Sequence, residues 1–198
     1  MNFSCISAGR RAILSLNSLL MVSSRFFLPG LSSKQKKYSE QRLVGYTQEQ
    51  MFDIVANVAE YPQFVPWCRE VNVQVHSKNL FFADIGIGFP PVQVTYRSKI
   101  TTVKPRIVKS ICVDNALFHN LDTIWRFEKG VANNHNSCIQ FFTLVFEFRS
   151  ALYSNLAHIF FDQVVCTMVI AFLKRAEAKY GPPSLDHFKT GTVLSKIN

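Results

Sequence analysis

The sequence predicts an α+β fold: a curved antiparallel sheet wrapped around one long C-terminal helix, in the order β-α-α-β6-α. Three observations carry this. Six stretches between residues 71 and 148 alternate apolar with polar residues, and no helical period separates them, so they pair by hairpins as antiparallel strands. One long helical stretch follows, from Ser150 to Tyr180, stopped by Gly181-Pro182-Pro183. The chain of 198 residues, one domain by length, also holds 18 Phe, and a core of rigid rings must pack tightly or enclose something flat and apolar. With 48% hydrophobic and 18% charged residues, global disorder is excluded.

Residues 1–37 stand apart, with eight Ser, no acid, and six basic residues: Arg10, Arg11, Arg25, Lys34, Lys36 and Lys37. That is the composition of a mitochondrial presequence, and Ala12, Ile13, Leu16, Leu19 and Leu20 make an apolar helical face beside Arg10 and Arg11. The rival is a secretory signal with residues 12–22 as its apolar core. Asn17, Ser15 and Ser18 dilute that core, Ser23 ends it, and no A-x-A-like cleavage site follows. Of the net charge of +9 this segment supplies six, leaving 16 basic against 13 acidic residues, or +3, over 38–198. So even a balance, with no basic run, argues against a nucleic-acid partner. The expected division is a mitochondrial targeting presequence over 1–37, the folded domain over 38–182 and a flexible tail over 183–198.

In the domain, Tyr38–Tyr46 reads as a first strand. Thr47-Gln48-Glu49-Gln50 is a capping box opening a helix whose apolar face is Met51, Phe52, Ile54, Val55 and Val58. A loop with Pro62 and Pro66 carries Tyr61, Phe64 and Trp67. The six strands follow on Val71–Val75, Phe81–Phe89, Val92–Thr101, Ile107–Val113, Leu121–Phe127 and Cys138–Phe148, divided by breakers such as Pro90-Pro91 and Lys104-Pro105. The closing helix has Lys174, Arg175 and Lys179 in its last turns, favourable to its dipole. Its apolar run Leu156–Leu173 is only 18 residues long and holds His158, Asp162 and Gln163 mid-way, which reads as a helix wedged against the sheet rather than a membrane span.

No pattern specifies a reaction. Ser154, His158 and Asp162 lie four apart in one row of the helix and cannot converge on a carbonyl. Gly86-Ile87-Gly88 lacks a third glycine, and Pro90-Pro91 stands where a helix would start. The Cys at 5, 68, 112, 138 and 166 include no CxxC or zinc spacing. They read as buried thiols in a reducing compartment, with two disulfides as the alternative in a secreted chain. No catalytic residue, metal site or cofactor is expected. What remains is the surplus of rings: Trp125 and Phe127 on one strand face, Phe142, Phe146 and Phe148 on another, Phe64 and Trp67 on the proline loop, and Phe160, Phe161, Val164 and Met168 on the helix. A curved sheet closed by one helix leaves room for an apolar tunnel between them.

Several strings resemble one family: Leu43-Val44-Gly45-Tyr46, Gln50-Met51-Phe52-Asp53, Phe64-Val65-Pro66-Trp67-Cys68, Ile87-Gly88-Phe89-Pro90-Pro91, Thr123-Ile124-Trp125-Arg126-Phe127, Phe146-Glu147-Phe148-Arg149-Ser150, and Arg175-Ala176 with Tyr180-Gly181-Pro182. Together with the order of elements they resemble the mitochondrial coenzyme Q-binding protein family, of the helix-grip fold in the START and polyketide-cyclase superfamily. The resemblance implies ubiquinone as bound ligand and support of respiration and Q biosynthesis without a known catalytic step. It also implies a peripheral place on the matrix side of the mitochondrial inner membrane, with Q-biosynthesis or respiratory-chain proteins as partners. One departure is Val92-Gln93-Val94-Thr95-Tyr96-Arg97-Ser98, where a glutamate is expected in V-x-E-x-Y-T-S. The quinone cavity is expected to be lined by Phe64, Trp67, Ile87, Phe89, Tyr96, Trp125, Phe127, Phe142, Phe146, Phe160, Val164 and Met168. Two other functions compete. A cyclase-type enzyme would draw its acid–base pair from Asp84, Asp114, His119 and Glu147. A ribosome- or RNA-associated module is the other, since a bacterial class of this fold has that association.

Overall fold

Alternation along each strand sets which side chains meet, and hairpins set which strands do. The computed structural model of the chain describes residues 35–89, 92–114, 116–149, 151–188 and 193–197, and at 89, 92, 151–164, 196 and 197 the backbone alone. The presequence expected over 1–37 lies outside the described residues as far as residue 34; Lys36 and Lys37 already belong to a strand. The elements are β1 (Lys36–Val44), α1 (Gln48–Ala56), a 3₁₀ turn (Val58–Gln63), β2 (Cys68–Ser77), β3 (Leu80–Phe89), β4 (Val92–Val103), β5 (Ile107–Asp114), β6 (Phe118–Lys129), β7 (Cys138–Phe148), α2 (Ala151–Tyr180) and β8 (Val193–Ile197).

Among the described residues the sheet has eight strands in the order β2-β3-β4-β5-β6-β7-β1-β8. Strands β2 to β7 form an antiparallel meander, and β1 returns to pair with β7 in unbroken register from Lys36 opposite Phe146 to Val44 opposite Cys138. Thr47 ends β1 and opens α1: its hydroxyl accepts from Gln50 N–H while the Gln50 side chain accepts from Thr47 N–H, the reciprocal pair the sequence predicts. Met51, Phe52, Ile54 and Val55 bury the inner face of α1.

Helix α2 crosses the concave face of the sheet, and its second half buries Val165, Val169, Phe172, Leu173 and Ala176, a stripe at helical spacing. Arg175 Nη2 bonds Glu60 Oε2 and Gln63 Oε1, each at 2.8 Å, and so ties the 3₁₀ turn to the helix. Gly181 ends it at φ +84, donating to the Glu177 carbonyl at 2.9 Å, a conformation that a residue without Cβ adopts at no steric cost. Among the described residues no helix is long and apolar enough to cross a membrane. Cys68, Cys112, Cys138 and Cys166 form no disulfide.

The C-terminal segment corrects the expectation of a loose tail. Past Pro183 the chain folds back over β1, where Ser184 N–H donates to the Gly45 carbonyl and Arg42 Nη1 donates to the His187 carbonyl, both at 2.9 Å. His187 is fully buried, and β8 then pairs antiparallel with β1. Gly45 permits the crossing, since a Cβ there would lie 2.7 Å from the Leu185 backbone N and O. Beneath the segment Glu40 accepts from Tyr38 Oη and Arg42 Nε at 2.6 Å each, so the buried charges are paired and hydrogen-bonded.

Candidate ligand cavity

The alternation of β3 to β7 points one side-chain set at α2, and the set does not fill the space. A cavity of about 280 Å³ remains between the concave face, the second half of α2 and the segment from Val58 to Cys68. Its sheet wall is Ile85 and Ile87 on β3, Tyr96, Ser98 and Ile100 on β4, Val108 and Ser110 on β5, Leu121, Thr123 and Trp125 on β6, and Phe142, Leu144, Phe146 and Phe148 on β7. Every second residue appears, as the pleat requires. Val165, Met168 and Phe172 roof it from α2, while Val58, Tyr61, Val65, Pro66, Trp67 and Cys68 close one side.

The two ends differ. At the inner end Trp125 sits 4.2 Å from the Phe142 ring and 4.9 Å from Phe172, all three buried. At the other end Trp67, Ile87, Phe148 and Met168 are only half-buried, and Leu117 and Phe118 complete the rim. Trp67 holds φ +63, a conformation that a bulky residue adopts only when its surroundings impose it. Its carbonyl accepts from Gly88 N–H at 2.9 Å, which fixes the turn against β3.

Among the described residues no Asp, Glu, Lys, Arg or His lines the cavity. The polar groups described there are neutral: the hydroxyls of Ser98, Ser110, Thr123, Tyr61 and Tyr96, the Trp67 indole and the Cys68 thiol. Burial raises the pKa of both tyrosines and pushes the Cys68 thiol up to about 11, so all three stay protonated and the thiol is no nucleophile at neutral pH. Tyr61 Oη already donates to the Val55 carbonyl at 2.6 Å. The chamber can exclude water and hold a neutral, mainly apolar molecule. Among the described residues it offers no acid–base pair.

Trp67, Ile87, Tyr96, Trp125, Phe142, Phe146 and Met168 stand on the wall, where the sequence reading puts them. Two of the expected residues do not. Phe64 stands edge-on to Tyr61 at 5.7 Å and to Phe172 at 5.2 Å, with the Arg175 guanidinium 5.4 Å above its ring, so it backs two wall residues from outside. Phe127 shares a face with Trp125 but lies one pleat further along, beneath α1, where Gln48 Nε2 bonds its carbonyl at 2.8 Å; the ring is fully buried in packing. The side chains of Phe89, Phe160 and Val164 lie outside those described, as do those of Ser154, His158 and Asp162. The four groups of the enzyme reading are not on the wall. Asp84 and Glu147 alternate with wall residues and take the outer face, Asp84 3.8 Å from Arg97, and Asp114 and His119 are exposed. Sequence reasoning missed Ser98, Ser110 and Thr123; the available signal was small hydroxyl residues at inward positions of otherwise apolar alternation.

Residues 44–173 match the sequence profile of the family described as polyketide cyclase / dehydrase and lipid transport. The chain is 43% identical over 164 residues to coenzyme Q-binding protein COQ10 homolog B, mitochondrial, of Xenopus laevis, covering 81% of this chain and 67% of that one. It is 40% identical over 152 residues to the Drosophila melanogaster coenzyme Q-binding protein COQ10, mitochondrial, covering 77% and 63%. The chain thus spans about two thirds of the length of these relatives. In fold it is similar to the crystal structure of the Zhui aromatase/cyclase from a Streptomyces species, with a TM-score of 0.63, 12% identity and coverage of 73% and 95%.

Proposed function

The chain belongs to the coenzyme Q-binding protein COQ10 family, within the polyketide cyclase and lipid transport family, and from that premise we propose that its cavity binds ubiquinone and that the protein acts as a carrier of it. The observation that carries the reading is the wall itself: uncharged among the described residues, faced with aromatic rings, and open toward one end. A flat quinone ring suits the Trp125–Phe142–Phe172 cluster, and an isoprenoid tail suits the aliphatic and aromatic rim. The volume of about 280 Å³ lies near the lower end of the ~300–1,000 Å³ of ligand pockets, enough for a substituted ring and the start of a tail. The rest of the tail leaves at the Trp67 end.

The same reading places the protein in the mitochondrion after loss of the N-terminal segment. There it associates peripherally with the inner membrane on the matrix side and hands quinone to respiratory-chain or Q-biosynthesis proteins. Carriage needs no bond made or broken, in keeping with a wall that is uncharged among the described residues. The test uses the two Trp of the chain, both on the wall. Titration with short-tailed ubiquinone should quench their fluorescence saturably at one quinone per chain. Absent quenching together with salt-sensitive cosedimentation with ribosomes would favour the RNA-associated alternative.

A further inference from the structure

We infer that Ser98, Ser110 and Thr123 form a seat for the ring oxygens of the quinone, so that the head enters first and the tail trails toward Trp67. The inference rests on the ubiquinone reading and adds the groups that hold the ring oxygens and a source of ring specificity. The three hydroxyls come from adjacent strands and meet on one face. Ser110 lies directly opposite Thr123, and Ser98, paired with Cys112, is the diagonal neighbour of Ser110. Directly opposed residues have Cβ atoms ~4.5–5.5 Å apart and diagonal ones somewhat less than ~7–8 Å, close enough for the three hydroxyls to reach oxygens of one ring. Along β6 the pair is flanked by Trp125 on one side and Leu121 on the other, and along β7 Leu144 continues the row between Phe142 and Phe146. A polar row is thus set into an otherwise apolar wall, midway along the cavity.

Hydroxyls there are costly unless a partner satisfies them, so aliphatic residues would be the cheaper filling of these inward positions. A hydroxyl rotates to donate or accept, whereas quinone carbonyl and methoxy oxygens only accept. The match is therefore to a neutral acceptor. An anionic lipid head would find no cation among the described residues of the wall. The rim is apolar, formed by Ile87, Leu117, Phe118, Phe148 and Met168 with Trp67, and suits a hydrocarbon tail. A head-out arrangement would leave the hydroxyl row facing hydrocarbon.

The test compares the full chain with a Ser98→Ala, Ser110→Ala, Thr123→Val variant. The last change is isosteric, and Thr123→Ser restores a hydroxyl as control. Probes are ubiquinone with two isoprene units and an isoprenoid hydrocarbon of matching length without a ring. The variant should bind the quinone at least tenfold more weakly, since each neutral hydrogen bond lost is roughly a two- to tenfold effect. It should bind the hydrocarbon as before, and the carbonyl stretch of bound quinone should return toward its value in hydrocarbon solvent. Unchanged quinone affinity and carbonyl stretch would overturn the seat and leave the ubiquinone reading standing. Wild-type protein that binds the hydrocarbon but not the quinone would overturn both. Should the triple variant fail to fold, Ser110→Ala and Thr123→Val singly carry the same comparison, with an expected loss of about two- to tenfold each.

Discussion

Replacing Trp125 with Ala should cost both stability and quinone affinity, because the indole belongs to the packed core and to the cavity wall. Its exposure is 4%, and Phe142 and Phe172 touch it at centroid distances of 4.2 and 4.9 Å, with Val108 opposite on β5. Truncating a fully packed Trp to Ala costs ~3–5 kcal/mol. Part of this indole faces the cavity and already lacks packing partners, so the lower end applies, about 3 kcal/mol. At ~2–4 °C per kcal/mol for a chain of this size, the melting temperature should fall by roughly 6–12 °C. The lost ring–ring contact with a quinone is worth ~0.5–1.5 kcal/mol, a two- to twelvefold loss of affinity. The assay pairs circular-dichroism melts without ligand with titrations read through Trp67, the remaining fluorophore. Trp125→Phe should recover most of both losses. A melt lowered by less than 2 °C would refute the packing argument, and a destabilised variant with unchanged affinity would refute the placement of the ring against the ligand.

Phe64→Ala should lower stability by about 2–3 kcal/mol, seen as an earlier urea midpoint, with the folded fraction still binding quinone at full stoichiometry, because the ring backs Tyr61 and Phe172 without lining the cavity. Gly45→Ala should cost about 1–3 kcal/mol and expose residues 183–188 to limited proteolysis, since its Cβ would press on the Leu185 backbone at 2.7 Å, which yields less readily than a side chain. Burial and, secondarily, Arg42 hold the His187 pKa down at about 4 against an ordinary 6.5, with Asp186 opposing. The unfolded chain therefore binds the proton first. The His187 contribution is complete above pH 6.5, declines as pH falls through that value, and levels off below pH 4. Its size is of the order of 2 kcal/mol, discounted for partial screening. A His187→Phe variant should show a flatter stability profile between pH 6.5 and pH 4.

Local signals carried most of the fold. The capping box at Thr47 and Gln50 and the period-2 runs of β2 to β7 are properties of neighbouring residues, and α1 and six strands were legible for that reason. The C-terminal segment was not, because Ser184-Leu185-Asp186-His187-Phe188 has no period, and its place depends on Gly45 and Arg42 some 140 residues earlier. The same limit applies to the cavity. Alternation shows which face Trp125 and Phe127 share, but α1 covers one of them and leaves the other at the cavity, and nothing in β6 alone encodes that difference. Phe64 was misread because a loop has no face until its 3₁₀ turn docks on α2 through Arg175. Ser98, Ser110 and Thr123 looked like ordinary strand residues until the register brought them together.

The most direct measurement is mass spectrometry of lipids carried by the protein when it is purified from respiring cells without added ligand. The expected result is ubiquinone, recovered intact at close to one molecule per chain and at a lower ratio from the Trp125→Ala variant. Protein that comes away empty after gentle purification, or that carries phospholipid or fatty acid in place of quinone, would contradict ubiquinone carriage by this cavity.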